Sequence, residues 1–459
     1  MSTPIRIQRD LLPSEQNSQD KRDEQLFSSP VDRSSFWPEA PTSIDEAGLN
    51  VALVEDHLVR TLYFGLSMSG ADMAAACGLP YVALSEIINQ LARDHVFEMS
   101  GRDSLTESGY RYSLAPRGRD RAEEALERTW YRGPLPVPVQ TYVNAIKAQS
   151  IGEVVIRRDA LKEAFSDLVI SDEFLDRIGP AVNAADSIFL YGAPGNGKTA
   201  IAERITNMIG GSIFIPQAVE IDGSIIMLYD ELNHRPAKDT ANRRYDQRWV
   251  RIRRPVVMAG GELTMPSLDL IWNPVAKFYE APLQMKANGG TFLIDDFGRQ
   301  IMRPIELLNR WIVPLERRID FLTLQTGKKL EVPFDELLLL STNLNPADLA
   351  DEAFQRRIRF RVKVEDPDTY QFETVFRAVC RSKSVPFDEL VFDWLIETWW
   401  KPYDRPFRMV QPRDLVNSLI AIARYLGRPP AMEPDLLDRA CRSYFVLETA
   451  PAVTAARVA

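Results

Sequence analysis

The stretch SIFLYGAPGNGKTA, residues 187 to 200, limits what this chain can fold into more than any other. Four apolar residues, Ile188 to Tyr191, suit a short buried strand. Gly192, Ala193, Pro194, Gly195, Asn196, Gly197, Lys198 and Thr199 follow, and then Ala200 opens a helix-prone run through Ile209. This is the G-x-x-x-x-G-K-[ST] spacing, in the strand–loop–helix setting that its mechanism needs. The glycines let successive backbone N–H groups converge on phosphate oxygens at a helix amino end. Lys198 then reaches the β and γ phosphates, and the Thr199 hydroxyl is a hard oxygen ligand for Mg²⁺. The fold expected around such a loop is α/β, with ligands at the carboxyl ends of parallel strands.

About a hundred residues later, TFLIDDFGRQ (291–300) ends an apolar run in two adjacent aspartates. Thr291 to Ile294 suit a strand buried on both faces, so Asp295 and Asp296 emerge at its carboxyl end, where charge needs a partner. A turn or helix cap would also account for the pair. ELLLLSTNLNP gives a second buried strand, Leu337 to Leu340, ending in Ser341, Thr342 and Asn343. DEAFQRRIRFRV then places Arg356 and Arg357 side by side. Each of these alone fits ordinary turn chemistry or a solvated face.

Their order carries more than any one of them. The chain resembles the AAA+ ATPase family over roughly residues 160 to 450, with Walker A at Gly192–Thr199 and Walker B at Phe292–Asp296. The resemblance implies ATP and Mg²⁺ as ligands, Asp295 orienting the metal's hydration shell, Asp296 polarising the attacking water and Asn343 as sensor 1. It also implies that Arg356 or Arg357 reaches a neighbouring subunit's nucleotide as an arginine finger. The family's lid carries a further arginine, and RMVQPRDLVNSLIAIARYLG offers Arg413 for it, although Gln411-Pro412 departs from the usual glycine-containing form. A second departure is Asp296, where the family usually has glutamate. RIDFLTLQTGKKLEVP reads as a hairpin with a Thr-Gly turn and resembles the pre-sensor-1 hairpin of one large branch of the family.

A chain of 459 residues implies more than one domain. The expected fold class is α/β: a P-loop parallel-sheet AAA+ core with a C-terminal helical lid, preceded by a small α+β winged-helix domain. The expected segments are a disordered arm (1–45), rich in Ser, Pro, Asp and Gln, a winged-helix-like domain (46–130), a proline-rich connector and lead-in (131–160), the nucleotide-binding domain (161–364) and the lid (365–459). In the second segment Val51, Val54, Leu58 and Leu62 line one helix, and Val82, Leu84, Ile87, Ile88 and Leu91 face a core from another. No apolar run approaches the ~20 residues of a bilayer span, and the amino terminus lacks a signal peptide's apolar core. Cys77, Cys380 and Cys441 are scattered and odd in number, which fits a reducing cytoplasm.

Charge bears on partners. Residues 46–130 hold thirteen acidic and eight basic residues, which disfavours DNA as the ligand of a winged helix and favours protein docking. One basic island, KDTANRRYDQRWVRIRRP, carries Lys238, Arg243, Arg244, Arg248, Arg251, Arg253 and Arg254 against two aspartates. It suits a solvated face, a subunit contact or nucleic acid. The combined expectation is an ATP-hydrolysing homo-oligomer, a hexameric ring on the family's pattern, that remodels a protein client. A nucleic-acid-linked motor and a slowly hydrolysing ATP switch are the alternatives.

Overall fold

The computed structural model describes residues 36–237, 245–345 and 358–445. Their contacts divide them into two units. One is built from the stretches up to Val155, Thr206–Leu293 and Leu307–Leu338, and the other from Ile156–Ile205, Ile294–Glu306 and the stretch from Leu339 onward.

The first unit opens on an aromatic strap. Phe36 lies 5.3 Å from Trp249, and Trp37 lies 5.1 Å from Phe214 and 5.9 Å from Tyr245, ring centre to ring centre. The Asp246 N–H donates to the Pro38 carbonyl at 2.9 Å. The expectation of a disordered arm through residue 45 is therefore corrected from residue 36 onward. Two adjacent aromatic side chains bury enough apolar surface to hold the backbone down, whatever its polar surroundings.

The small α+β domain follows. Its helices span Ile44–Ala47, Val51–Gly65, Gly70–Cys77, Tyr81–Arg93 and Pro116–Arg128. Ser69 and Asp72 close a capping box on the third, and Gly78 ends it in the left-handed conformation that glycine adopts without strain. Strands Phe97–Arg102 and Tyr110–Leu114 pair with each other, and a short strand, Ser67–Ser69, pairs with the second of them. Two core assignments need correction. Val51 is 47% exposed because it starts its helix, one turn short of the core, although it shares a face with Val54 and Leu58, and Val82 is 61% exposed because it points away from Leu84, Ile88 and Leu91.

The connector is built into this unit. Leu135 N–H donates to the Cys77 carbonyl at 2.9 Å, and Val137–Pro138 adds a parallel edge to the strand Ala218–Ile221. That strand belongs to a five-stranded mixed sheet, ordered Ile271–Asn273, Phe278–Glu280, Ser224–Met227, Ala218–Ile221, Val137–Pro138. Asp222 and Gly223, both at positive φ, form the two-residue turn that joins two of its strands. The expected hairpin is present as Ile319–Thr323 paired with Lys329–Pro333. Its Leu322, Leu330 and Val332 pack with Tyr142, Val219, Ile226 and Tyr279 in one core.

Much of the basic island serves this unit internally. Arg248 and Asp246 pair at 2.8 Å with side chains 4% and 3% exposed, and Arg248 also donates to the Ala47 carbonyl at 3.2 Å. Arg254 donates to the Gln149 and Gly289 carbonyls, and Arg251 to Ser212 Oγ at 2.9 Å. Arg253 is exposed. Lys238, Arg243 and Arg244 lie outside the described residues.

Two buried acids differ sharply. Asp320 pairs with Arg310 and accepts from Gln284 at 3.0 Å. Glu336 is fully buried with neither carboxylate oxygen hydrogen-bonded among the described residues. Burial pushes its carboxyl well above the usual range, with Asp320 and Asp335 adding to the effect and Arg318 opposing it.

The principal sheet has strands β1 (Ile188–Tyr191), β2 (Val256–Ala259), β3 (Thr291–Ile294), β4 (Leu337–Thr342) and β5 (Phe360–Lys363), in the order β2-β3-β4-β1-β5. β4 and β5 each run parallel to β1, which puts the carboxyl ends of all three at one edge. The second unit holds β1, β5, most of β4 and the last residue of β3, together with the helices Arg158–Ala164 and Asp172–Asn183. It continues into four helices, Thr369–Ser382, Glu389–Trp399, Gln411–Tyr425 and Pro434–Tyr444. Asp368 and Gln371 form the capping box of the first. Phe372, Phe376, Phe392, Trp399, Trp400 and Leu419 pack into their common core, so the Trp399–Trp400 pair serves helix packing. All three thiols are free and buried. No single helix among the described residues is long and apolar enough to cross a membrane.

Candidate functional site

The phosphate-loop residues, both aspartates and Asn343 all fall in the second unit. Gly192 leaves β1 at φ 148°, and a Cβ there would stand 2.3 Å from the Val364 carbonyl oxygen. Gly195 has φ 83°, and a Cβ there would meet Val410 at 2.6 Å. Both positions therefore need glycine for conformation and for space. The helix Lys198–Ile209 begins directly after the loop, so its unsatisfied N–H groups point at the strand ends. Ala193 and Pro194 lie within the loop, and Ala200 in the first helical turn.

Lys198 is only 7% exposed. Its ammonium donates to the Gly192 and Ala193 carbonyls, both at 3.0 Å, and to the Asn343 side-chain carbonyl. Burial pulls its pKa below the ordinary lysine value. Asp295 and Asp296 oppose that shift, and the positive charge of Arg408 adds to it. Thr199 Oγ1 donates to Asp295 Oδ2 at 2.8 Å. Asn343 Nδ2 donates to Asp296 Oδ1 at 3.1 Å, so Asn343 touches both the lysine and the second aspartate. Asp296 itself is exposed and sits at φ 50°, a left-handed conformation that aspartate tolerates better than most residues. Its N–H donates to Asp295 Oδ1 at 3.0 Å. Two further bonds fix the loop after β3 to β4: Phe297 N–H to the Ser341 carbonyl at 2.7 Å, and Thr342 Oγ1 to the Phe297 carbonyl at 2.6 Å.

The donor set suits a hard divalent cation. Thr199 and Asp295 present a hydroxyl and a carboxylate oxygen already in contact, as a Mg²⁺ ion held chiefly by water and phosphate requires. No cluster of three or more His, Cys, Asp or Glu that would hold a metal by itself occurs among the described residues.

Beside the loop lies a cavity of about 280 Å³. Val169, Ile170, Phe174, Val364 and Met409 give it apolar walls, and Asn196 and Ser171 are among its polar lining. Glu173, Arg177, Lys363, Glu365 and Asp366 give the rest of its rim both signs of charge.

Two residues near the loop were missed in the sequence. Arg408 pairs with Asp366 and is 22% exposed, and its charge is felt at Lys198. Asp366 Oδ1 also accepts from Asn196 Nδ2 at 2.7 Å. The segment 408–410 docks on the loop through Val410 N–H to the Gly195 carbonyl at 2.9 Å and Met409 N–H to Asn196 Oδ1 at 3.4 Å. Arg413, the residue that the resemblance put forward, has a side chain 63% exposed with Asp414 as its ion-pair partner, at 3.3 Å. The only sequence signal for Arg408 was an arginine in a non-helical approach to an amphipathic helix. Arg356 and Arg357 lie outside the described residues.

Comparison with known proteins gives a family match over residues 368–443 alone, to a domain of unknown function, DUF8689. No curated protein sequence matches the chain. Among solved structures, the Thermotoga maritima RuvB Holliday junction branch migration motor is 12% identical, with 65% of this chain and 72% of that chain covered and a TM-score of 0.34. NtrX from Brucella abortus is 14% identical, with 74% and 64% covered and a TM-score of 0.39. Domain III of the Thermotoga maritima replication initiation protein DnaA is 13% identical, with 62% and 98% covered and a TM-score of 0.34. Superpositions this loose carry no weight beside the strand order and side-chain geometry described above.

Proposed function

We propose that this chain is an AAA+-type ATPase that binds ATP with Mg²⁺ on the loop Gly192–Thr199 and hydrolyses it. The observation that carries the reading is the convergence of five side chains at one sheet edge: Lys198 and Asp296 both on Asn343, and Thr199 on Asp295. Phosphoryl transfer asks for positioning and charge stabilisation, and these groups are chemically suited to both.

The loop amides and Lys198 grip the phosphates. Thr199 and Asp295 would hold Mg²⁺, which when bound neutralises charge on the phosphate oxygens. Asp296 accepts a hydrogen bond from the attacking water, and Asn343 fixes the carboxylate that does so. Arg408 meets the terminal phosphate from the helical side, a role for which Arg413 is placed less favourably by its exposure. The cavity lined by Val169, Ile170 and Met409 takes the adenine. Arg356 or Arg357 of a second copy completes the charge around the phosphates, which makes a ring of copies, on the family's pattern a hexamer, the active form. The acidic domain at 46–130, with its winged-helix element order, docks a protein client that the motor remodels. The internal pairing of Arg248, Arg251 and Arg254 weighs against a nucleic-acid track on the basic island.

Phosphate release measured with ATP and Mg²⁺ tests this reading. Turnover that survives Lys198→Ala unchanged would remove the ATPase, and strong stimulation by DNA or RNA would replace the protein client with a nucleic acid.

A further inference from the structure

We propose that Asp366 and the terminal phosphate of a bound nucleotide compete for Arg408, so that Asp366 sets how strongly the site distinguishes a triphosphate from a diphosphate. This rests on the nucleotide reading above and extends it to a positioning residue outside the loop.

Three observations lead there. First, Asp366 Oδ1 takes both the Arg408 guanidinium and the Asn196 amide, so one carboxylate oxygen joins the loop to the approach of the Gln411–Tyr425 helix. Second, Arg408 contributes to the shift of the Lys198 ammonium, so its charge lies within reach of the place where phosphate oxygens are gripped. Third, the competing bonds are weak ones. The Asp366 side chain is 43% exposed and that of Arg408 22%, which leaves the pair screened by water. A polyphosphate carries more charge than a carboxylate and suits the planar donor fork of arginine, so it wins the guanidinium when it reaches it.

Asp366 also stands at a mechanically useful position. It falls between β5 and Asp368, the cap of the first C-terminal helix, and the Glu365 carbonyl beside it accepts from Asn196 at 3.4 Å. Asn196, 4% exposed, meets the incoming link through Asp366 and the 408–410 segment through Met409. Transfer of Arg408 to phosphate leaves Asp366 with Asn196 alone, so the presence of a terminal phosphate is reported through one loop residue to the approaches of the first and third C-terminal helices. The backbone N–H of Arg408 goes to Gln411 Oε1 at 2.8 Å, and the guanidinium nitrogen that meets Asp366 also reaches the Phe407 carbonyl at 3.3 Å, a long bond to a neutral acceptor.

The test is a calorimetric titration of the full chain with ADP and with the β,γ-imido analogue of ATP, each with Mg²⁺. It is run on the wild type, Asp366→Asn, Arg408→Ala and the double variant. Asp366→Asn is expected to tighten the triphosphate analogue about five- to tenfold and ADP less than about twofold, and to change neither in the Arg408→Ala background. Asp366→Ser should act in the same direction, which guards against an effect peculiar to the asparagine. Equal weakening of both nucleotides would show a purely structural tie and overturn the proposal. So would unchanged affinities, or tightening that persists without Arg408. A wild type that binds neither nucleotide removes the nucleotide reading as well, whereas a wild type that binds both while Asp366→Asn leaves them unaltered removes this inference alone.

Discussion

Two buried cations, one in each unit, show what separates a structural charge from a poised one. Arg248 is enclosed with Asp246, and its guanidinium meets that carboxylate several times over besides the Ala47 carbonyl. Lys198 is nearly as enclosed, yet its hydrogen bonds go to two backbone carbonyls and an amide, all neutral. A charge taken out of water is costly unless an opposite charge and good hydrogen bonds compensate for it. Arg248 has that compensation within the protein. Lys198 has only part of it, and Asp295, the acid that would complete it, is hydrogen-bonded to Thr199. An incompletely compensated cation at a glycine loop and a helix amino end is therefore suited to take an anion, while the fully paired one holds its unit together.

Breaking the structural cation should have the largest effect. Arg248→Met leaves Asp246 buried without its cation, holding only the residue 248 N–H, which should cost about 3–5 kcal/mol of the stability of its unit. Chemical denaturation measures the loss, and the same substitution combined with Asp246→Leu should recover much of it. The poised cation should behave in the opposite way. Lys198→Ala should lower turnover about 10²–10³-fold, as loss of a charge-stabilising donor does, while the thermal midpoint stays within a few degrees of wild type. A large stability loss there would erase the distinction drawn between the two residues.

Glu336 sharpens the comparison from the acidic side, because it is a buried acid with no hydrogen-bond partner among the described residues. Its folded pKa lies above its unfolded value near 4.5, so the native chain keeps a proton that the unfolded chain releases. That contribution is fully present below the unfolded pKa and is lost as pH rises toward the folded one, at about 1.4 kcal/mol per pH unit. Asp320, Asp335 and Arg318 are the charged groups that bear on it. Glu336→Gln should therefore lose less stability than wild type as pH rises above the ordinary carboxyl range, as followed by thermal melting at each pH. The smallest expected change is at Asp296. Asp296→Glu should raise turnover by at most about tenfold, because Asn343 already contacts the shorter carboxylate at 3.1 Å. A tenfold fall in the phosphate-release assay would mean that the longer side chain disrupts that contact.

The parts of this molecule that were legible in the sequence are those that local chemistry specifies. The loop glycines, the apolar runs of β1, β3 and β4, the capping motifs and the hairpin around Gly327 each carry their own signal within a few residues. The mixed sheet has one local signal, the Asp-Gly hairpin signature in VEIDGSII, but its other strands are two or three residues long and come from distant segments. Phe36 and Trp37 were legible too, and were outweighed by the polar composition around them.

Residue order alone placed a phosphate loop, two acids and an amide at strand ends, since backbone conformation and side-chain period are set by near neighbours. Only the tertiary structure decided which arginine faces that loop and which are enclosed as structural pairs. Arg408 and Arg413 are five residues apart on one segment, with nothing in their immediate surroundings to tell them apart. What separates them is a carboxylate at Asp366, forty-two positions before Arg408, because a charge takes its role from the partners that long-range packing brings within a few ångströms.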